Sequence, residues 1–294
     1  MTLAAARYSA IAMLKTPRPE DAGTPGCWFG GQPTLPAEID WPIYRYSYEP
    51  YEGFSVPMHF LAQINLQLLP RVLGQPELPH SGTIFVFFEP TIATLEPDAP
   101  RDVPCAHLGR ASKVIYCAGD VSDLPGRQPP PMPNFPDDIA RLRYHHGDTY
   151  PYWPFDFVVV DTISGDVEHH GPGYLDALMR FDHQQQHALR AKIGWKRNAT
   201  LRGQTIGDDV VVPVHTIFGA SRETLRPTER NLKRRSYGHY PPLTSDHILL
   251  FRFAADGEIG HAFTLGEHGA GYWIKRKDLE QRHFEDIVVW KDEY

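Results

Sequence analysis

Short apolar runs recur along the chain between breaks marked by glycine and proline, a rhythm that predicts many brief strands rather than long helices. Met58-His59-Phe60-Leu61-Ala62-Gln63-Ile64-Asn65-Leu66 reads as a strand running into a short helical turn that Asn65 can cap. After a turn at His80-Ser81-Gly82 comes Thr83-Ile84-Phe85-Val86-Phe87-Phe88, an unbroken apolar run of the kind buried on both faces of a sheet. Further strands are expected at 113–117, 155–161, 210–214, 247–253, 258–263, 271–274 and 286–290, with a one-turn helix at 278–281 between the last two. Helical spacing is clearest at 174–193, where Tyr174, Leu178, Phe181, Ala188 and Ile193 approximate one face, Gln184, Gln185 and Gln186 lie on the other, and Asp176 suits the positive end of the dipole. The stretch 125–136 carries six prolines and predicts an extended surface connector, followed by a short helix at 137–144. Residues 1–13 predict a short amphipathic helix that ends before Lys15 and Pro17.

The pattern also repeats. Phe29-Gly30-Gly31 is followed 31 residues later by Phe60-Leu61, and 22 after that by Gly82-Thr83-Ile84. Phe218-Gly219-Ala220 is followed at the same two intervals by Leu249-Leu250 and Gly271-Tyr272-Trp273-Ile274. Two copies of one supersecondary unit would each carry an apolar sheet face for the other to cover. The expected fold is therefore α+β: a duplicated sheet-forming motif, at about 28–88 and 210–294, giving two similar and mostly antiparallel β-sheets with a few helices packed against or between them. One domain is expected over residues 1–294.

Composition adds boundaries. With 41 % hydrophobic and 22 % charged residues the chain can bury a core, and a net charge of −7 opposes binding to nucleic acid or to an anionic membrane. No run approaches the roughly 20 apolar residues of a membrane-spanning helix. Cys27, Cys105 and Cys117 are odd in number and widely spaced, which argues against a disulfide framework and for a reducing cytoplasm.

Several motifs together resemble a known family. They are Trp28-Phe29-Gly30-Gly31-Gln32-Pro33 with Leu35-Pro36, Trp41-Pro42, His59-Phe60-Leu61-Ala62-Gln63-Ile64-Asn65-Leu66, Leu78-Pro79 with Gly82, and Gly271-Tyr272-Trp273-Ile274 with Asp278-Leu279 and Phe284. In these the chain is similar to the bacterial YwqG-like proteins, a domain of unknown function. The resemblance is specific over 28–88 and covers nothing quotable between 93 and 204. It implies a duplicated α+β fold, a bacterial cytoplasmic setting and a role in toxin immunity, and it carries over no catalytic residue. Where the family has a glutamine in the second-half strand, this chain has Arg252.

Candidate chemistry is sparse. His145, His146, Asp148, His169 and His170 are the densest potential metal ligands, and His183 with His187 share a helix face, but Gln184 stands where a zinc protease needs glutamate. Gly219-Ala220-Ser221-Arg222 lacks the closing glycine of a nucleophile elbow, and no phosphate loop or dinucleotide fingerprint occurs. Cys27 beside the glycine pair could be activated only by a nearby histidine. The basic run 222–235, including Arg234 and Arg235, with Tyr237, His239 and Tyr240 behind it, could face an acidic protein partner. Gln63 lies in an apolar strand and must find partners for its amide, most simply a neighbouring backbone. These observations point first to a non-enzymatic binding or protein-interaction module with no cofactor. Its binding residues would be drawn from Trp28, Gly30, Gly31, Trp41, Gln63, Arg234 and Arg235. The alternative is a metal-dependent hydrolase or other enzyme using His145, His146, His169 or His170.

Overall fold

The computed structural model describes residues 7–15, 26–46, 51–72, 76–89, 110–132, 149–163, 184, 188, 200–201, 204–205, 215–219, 246–254, 256, 259 and 269–292. Their strands are β1 (Arg7–Lys15), β2 (Trp28–Phe29), β3 (Ile43–Arg45), β4 (Ser55–Pro57), β5 (His59–Asn65), β6 (Thr83–Phe88), β7 (Ser112–Cys117), β8 (Trp153–Ile163), β9 (Thr200–Leu201), β10 (Gln204–Thr205), β11 (His215–Ile217), β12 (His247–Phe253), β13 (Gly269–Lys275) and β14 (Val288–Asp292). A short helix, α1 (Arg276–Glu280), lies between the last two strands, and Leu66–Leu68 makes one 3-10 turn. The cap expected of Asn65 is present: its side chain accepts from the Gln67 N–H.

Two antiparallel sheets share the long strand β8, so the hydrogen-bonded order is continuous: β14-β13-β12-β11-β1-β8-β2-β5-β6-β7. Two two-stranded hairpins, β3-β4 and β9-β10, stand apart. The outer strand β7 returns towards the other end of the order. Ser112 Oγ donates to Tyr272 Oη at 3.4 Å, Tyr116 and Phe284 have ring centroids 5.7 Å apart, and the Arg282 guanidinium lies 5.9 Å from the Tyr116 ring. The arrangement is close to a barrel, with one aromatic-rich core cluster running from Ile11 and Phe29 through Phe85 to Phe251 and Tyr272.

Strand β1 overturns the amphipathic helix expected at 1–13. Its alternate residues are apolar on both sides: Ile11 and Met13 enter the main core, while Ala10, Ala12 and Leu14 pack with Val160 on the opposite face. A strand buried on both faces shows no alternation in sequence, and alanine and methionine favour helices, so local pattern misreads it. Nine residue pairs with β8 decide the matter. The strand expected at 258–263 is described only at Ile259, which is a buried turn residue. Of the helix at 174–193 only Gln184 and Ala188 are described; both are helical and exposed, as residues four apart on one face must be, so Ala188 does not belong to the apolar face. The strand at 210–214 and the helix at 137–144 lie outside the described residues.

The strands β2-β5-β6-β7 and β11-β12-β13-β14 are both antiparallel meanders with matching irregularities. Strand β5 has a bulge between Phe60 and Ala62, and β12 has one between Leu249 and Phe251, which leaves Leu61 and Leu250 as the extra residues. Each bulge carbonyl accepts from a residue in the left-handed region: Gly30 N–H to Leu61 O at 2.9 Å, and Phe218 N–H to Leu250 O at 3.1 Å. Both corners carry two successive positive φ values, 61° and 64° at Gly30 and Gly31, 59° and 103° at Phe218 and Gly219. The structural match is therefore Gly30 with Phe218 and Gly31 with Gly219, one residue away from the alignment that the Phe-Gly pairs suggest. Gly82 and Gly271 do not correspond either. Gly82 makes a left-handed turn ahead of β6, whereas Gly271 sits within β13 opposite Arg252.

Gly30 meets two constraints, since its φ suits glycine and an added Cβ would overlap the Pro151 carbonyl oxygen. Gly30→Ala is expected to cost at least about 3 kcal/mol in urea unfolding, against roughly 1 kcal/mol for Gly53→Ala, where φ is also positive but the space is open. Phe218→Gly should be more stable than Phe218→Ala by about 1 kcal/mol, because both remove the ring and only alanine keeps the left-handed penalty. The same unfolding midpoints check all four variants.

Candidate functional site

The residues singled out from sequence are placed as follows. Trp28, Gly30, Gly31 and Gln63 come together along the β2–β5 ladder, Trp28 opposite Gln63. The Gln63 side chain is 1 % exposed, and its Oε1 accepts from the Thr34 N–H at 2.9 Å and the Thr34 hydroxyl at 3.1 Å. The Thr34 backbone N–H and hydroxyl thus occupy its carbonyl oxygen. Trp41 is buried and donates its indole N–H to the Met58 carbonyl. Trp28 is half-buried, 5.9 Å from the Tyr152 ring, and its Nε1 has no hydrogen-bond partner among the described residues. Arg234, Arg235, His145, His146, His169, His170, His183, His187 and Cys105 lie outside the described residues. Among the described residues no group of histidine, cysteine, aspartate and glutamate is arranged to hold a metal ion.

Two groups that could in principle do chemistry are closed off. The Cys27 thiol is buried at the start of β2 and its Sγ accepts from the Asn65 N–H at 3.3 Å. Burial pushes it up to about 12, the Asn65 hydrogen bond opposing and Asp156 adding to the shift, so no thiolate forms at neutral pH. At the corresponding place in the second meander stands His215, whose Nδ1 accepts from the Ala254 N–H at 3.2 Å. That bond fixes the tautomer: the proton is on Nε2, which faces Asp256 Oδ2 at 3.1 Å. Lys15 from β1 lies 2.6 Å from the same oxygen and 5.1 Å from the Trp153 ring. Asp256 is 1 % exposed and His215 0 %. Both imidazole nitrogens are engaged, so this set clasps β1 to β11 and the end of β12 and leaves no ring nitrogen to take a substrate proton.

A cleft of about 260 Å³ opens further along β1, lined by apolar residues of the 66–80 stretch together with Ile11 and Phe218. Ile11, Leu66, Leu78 and Phe218 are buried at its floor, and Leu69, Pro70, Val72, Pro76 and Pro79 form half-buried walls. Arg71, Glu77 and His80 stand exposed at its mouth. From sequence, only Leu66, Leu78 and Pro79 of this stretch stand out, as motif positions, and no cleft is expected. The available signal was the run of prolines and leucines between Leu66 and His80, too apolar for a solvated loop.

The profile of a domain of unknown function, DUF1963, matches residues 28–292. The chain belongs to the DUF1963 family. This is the YwqG-like family that the Trp28 to Phe88 motifs resemble. No curated protein matches the chain. The DUF1963 match takes in both meanders and the cleft-lining stretch 66–80, while β1, with Ile11 and Lys15, precedes it. No described helix of this DUF1963 chain is long and apolar enough to cross a membrane.

The clasp predicts acid sensitivity. Burial lowers His215 from its ordinary 6.5, Asp256 opposing and Lys15 and Arg252 adding to the shift, so as pH falls through about 6.5 the unfolded chain takes the proton first and stability declines. For Asp256, burial acts to raise the carboxyl, but the His215 hydrogen bond and the Lys15 charge outweigh it and hold the group well below its ordinary 3.8. Its contribution is present above that value and is lost as pH falls further. Urea midpoints should be level at about pH 7–8, decline below about 6.5 and drop again below about 4. Asp256→Asn should lower the plateau by roughly 3 kcal/mol and shrink the lower drop.

Proposed function

We propose that this DUF1963 protein is a non-enzymatic binding protein that receives an apolar group in the cleft between residues 66–80 and the Ile11–Phe218 corner. The observation that carries this reading is Phe218. A left-handed backbone costs a non-glycine residue about 1 kcal/mol or more, and Gly30 makes the matching turn in the first meander with no side chain at all. The turn therefore does not need the phenyl ring. What the ring supplies is the floor of the cleft.

The closed state of Cys27 and His215 supports binding over catalysis at the described residues. The free thiols of Cys27 and Cys117 suit a reducing bacterial cytoplasm. The two meanders are read as copies of one unit within a single domain, supported by the paired bulges, the paired left-handed corners, and the match of Asn65 N–H to Cys27 Sγ with Ala254 N–H to His215 Nδ1.

An uncharged apolar fluorophore small enough for the cleft, such as naphthalene, tests the reading. One saturable site per chain is expected, weakened at least tenfold in Leu69→Asp, where a wall residue becomes charged and the urea midpoint stays within about 1 kcal/mol of the parent. Absence of saturable binding, or equal binding by the variant, would overturn it.

A further inference from the structure

We infer that the ligand of the cleft is a free α-amino acid with a bulky apolar side chain, of the leucine or phenylalanine type; this rests on the binding reading above. Three observations converge. The first is size: an apolar cavity of about 150 Å³ admits benzene, so about 260 Å³ takes a benzene ring with a few further atoms and falls short of a drug-sized ligand. The second is the division of the walls. Everything at the floor is aliphatic or aromatic, from Ile11, Leu66, Leu78 and Phe218, with no polar side chain to receive a ligand's polar end.

The third is charge at the mouth. Arg71 and Glu77 both line the same opening, and among the described residues neither is in an ion pair or a hydrogen bond. A pair of opposite charges held apart at the entrance of an apolar cleft complements a zwitterion. Arg71 offers its guanidinium fork to the carboxylate, Glu77 accepts from the ammonium group, and the side chain points inward. A fatty acid would leave Glu77 facing apolar chain, and an alkylamine would leave Arg71 without an acceptor, so the zwitterion satisfies both where either alternative satisfies one.

Titration calorimetry on the full chain tests this with L-phenylalanine and L-leucine against N-acetyl-L-phenylalanine, L-phenylalaninamide and octanoate. The free amino acids should bind at one site per chain, at least tenfold tighter than any of the three analogues. Arg71→Ala should bring phenylalanine down to the level of its amide, and Glu77→Gln should bring it down to the level of the N-acetyl form. Both residues are exposed, so neither change should move the unfolding midpoint. Equal binding of phenylalanine and its two blocked forms, or no binding of phenylalanine, would overturn the inference. If phenylalanine fails while the uncharged fluorophore still saturates, only the ligand assignment falls; if neither binds, the cleft is not a binding site.

Discussion

Strand β1 is hydrogen-bonded along its whole length to β8, from the Arg7–Ile163 pair to the Lys15–Phe155 pair, and everything else in the sheet is arranged about that ladder. On its other side β1 pairs with β11, and on its other side β8 pairs with β2. The strand that precedes the first meander thus joins the second, and the strand that precedes the second joins the first. This exchange makes the two meanders one sheet. Apolar residues on both faces of β1 follow from it, because a strand with a neighbour on each edge and a layer on each face has no wet side.

Both sites depend on the same strand. Ile11 faces the cleft and Lys15 reaches the clasp, four residues further along β1. Lysine and aspartate in contact with little access to water would destabilise the fold if either stood alone, and a neutral imidazole on the same carboxylate completes its hydrogen bonding. The first meander meets the same structural need with less. There Cys27 accepts the equivalent backbone N–H through sulfur, and no ion pair is built on it. The two meanders therefore differ, with apolar chemistry at this place in one and a buried charge network in the other.

What could be seen in the sequence was local. Strands β5, β6, β12 and β13, the Asn65 cap and the short helix before β14 follow from runs of a few residues whose propensity and burial agree. The Phe-Gly corners were visible too, although their alignment was off by one because Phe218 takes the conformation that Gly30 takes, and a phenylalanine does not advertise a positive φ. Strand β1 was misread because its evidence is non-local: the partners that make it a strand lie beyond residue 150. The clasp was hidden for the same reason. Lys15, His215 and Asp256 are ordinary residues until the exchange brings three distant segments together. The cleft was hidden because prolines and leucines at 66–80 have no regular period, and Ile11 and Phe218 complete its lining from distant parts of the chain.

The exchange of strands also sets a timetable for synthesis. Strand β1 leaves the ribosome before its partners β8 and β11, which begin at residues 153 and 215. At translation rates of roughly 5–20 residues per second, its apolar faces wait on the order of ten seconds or more for the first partner and longer for the second. The first meander can pair within itself during that interval, yet the seat that β8 takes beside β2 stays open. A nascent chain of this kind presents an unpaired apolar strand and an open sheet edge at the same time, the combination that chaperones bind and that aggregation exploits. Folding should therefore be concerted and late, completed only when the second half arrives to claim the first strand.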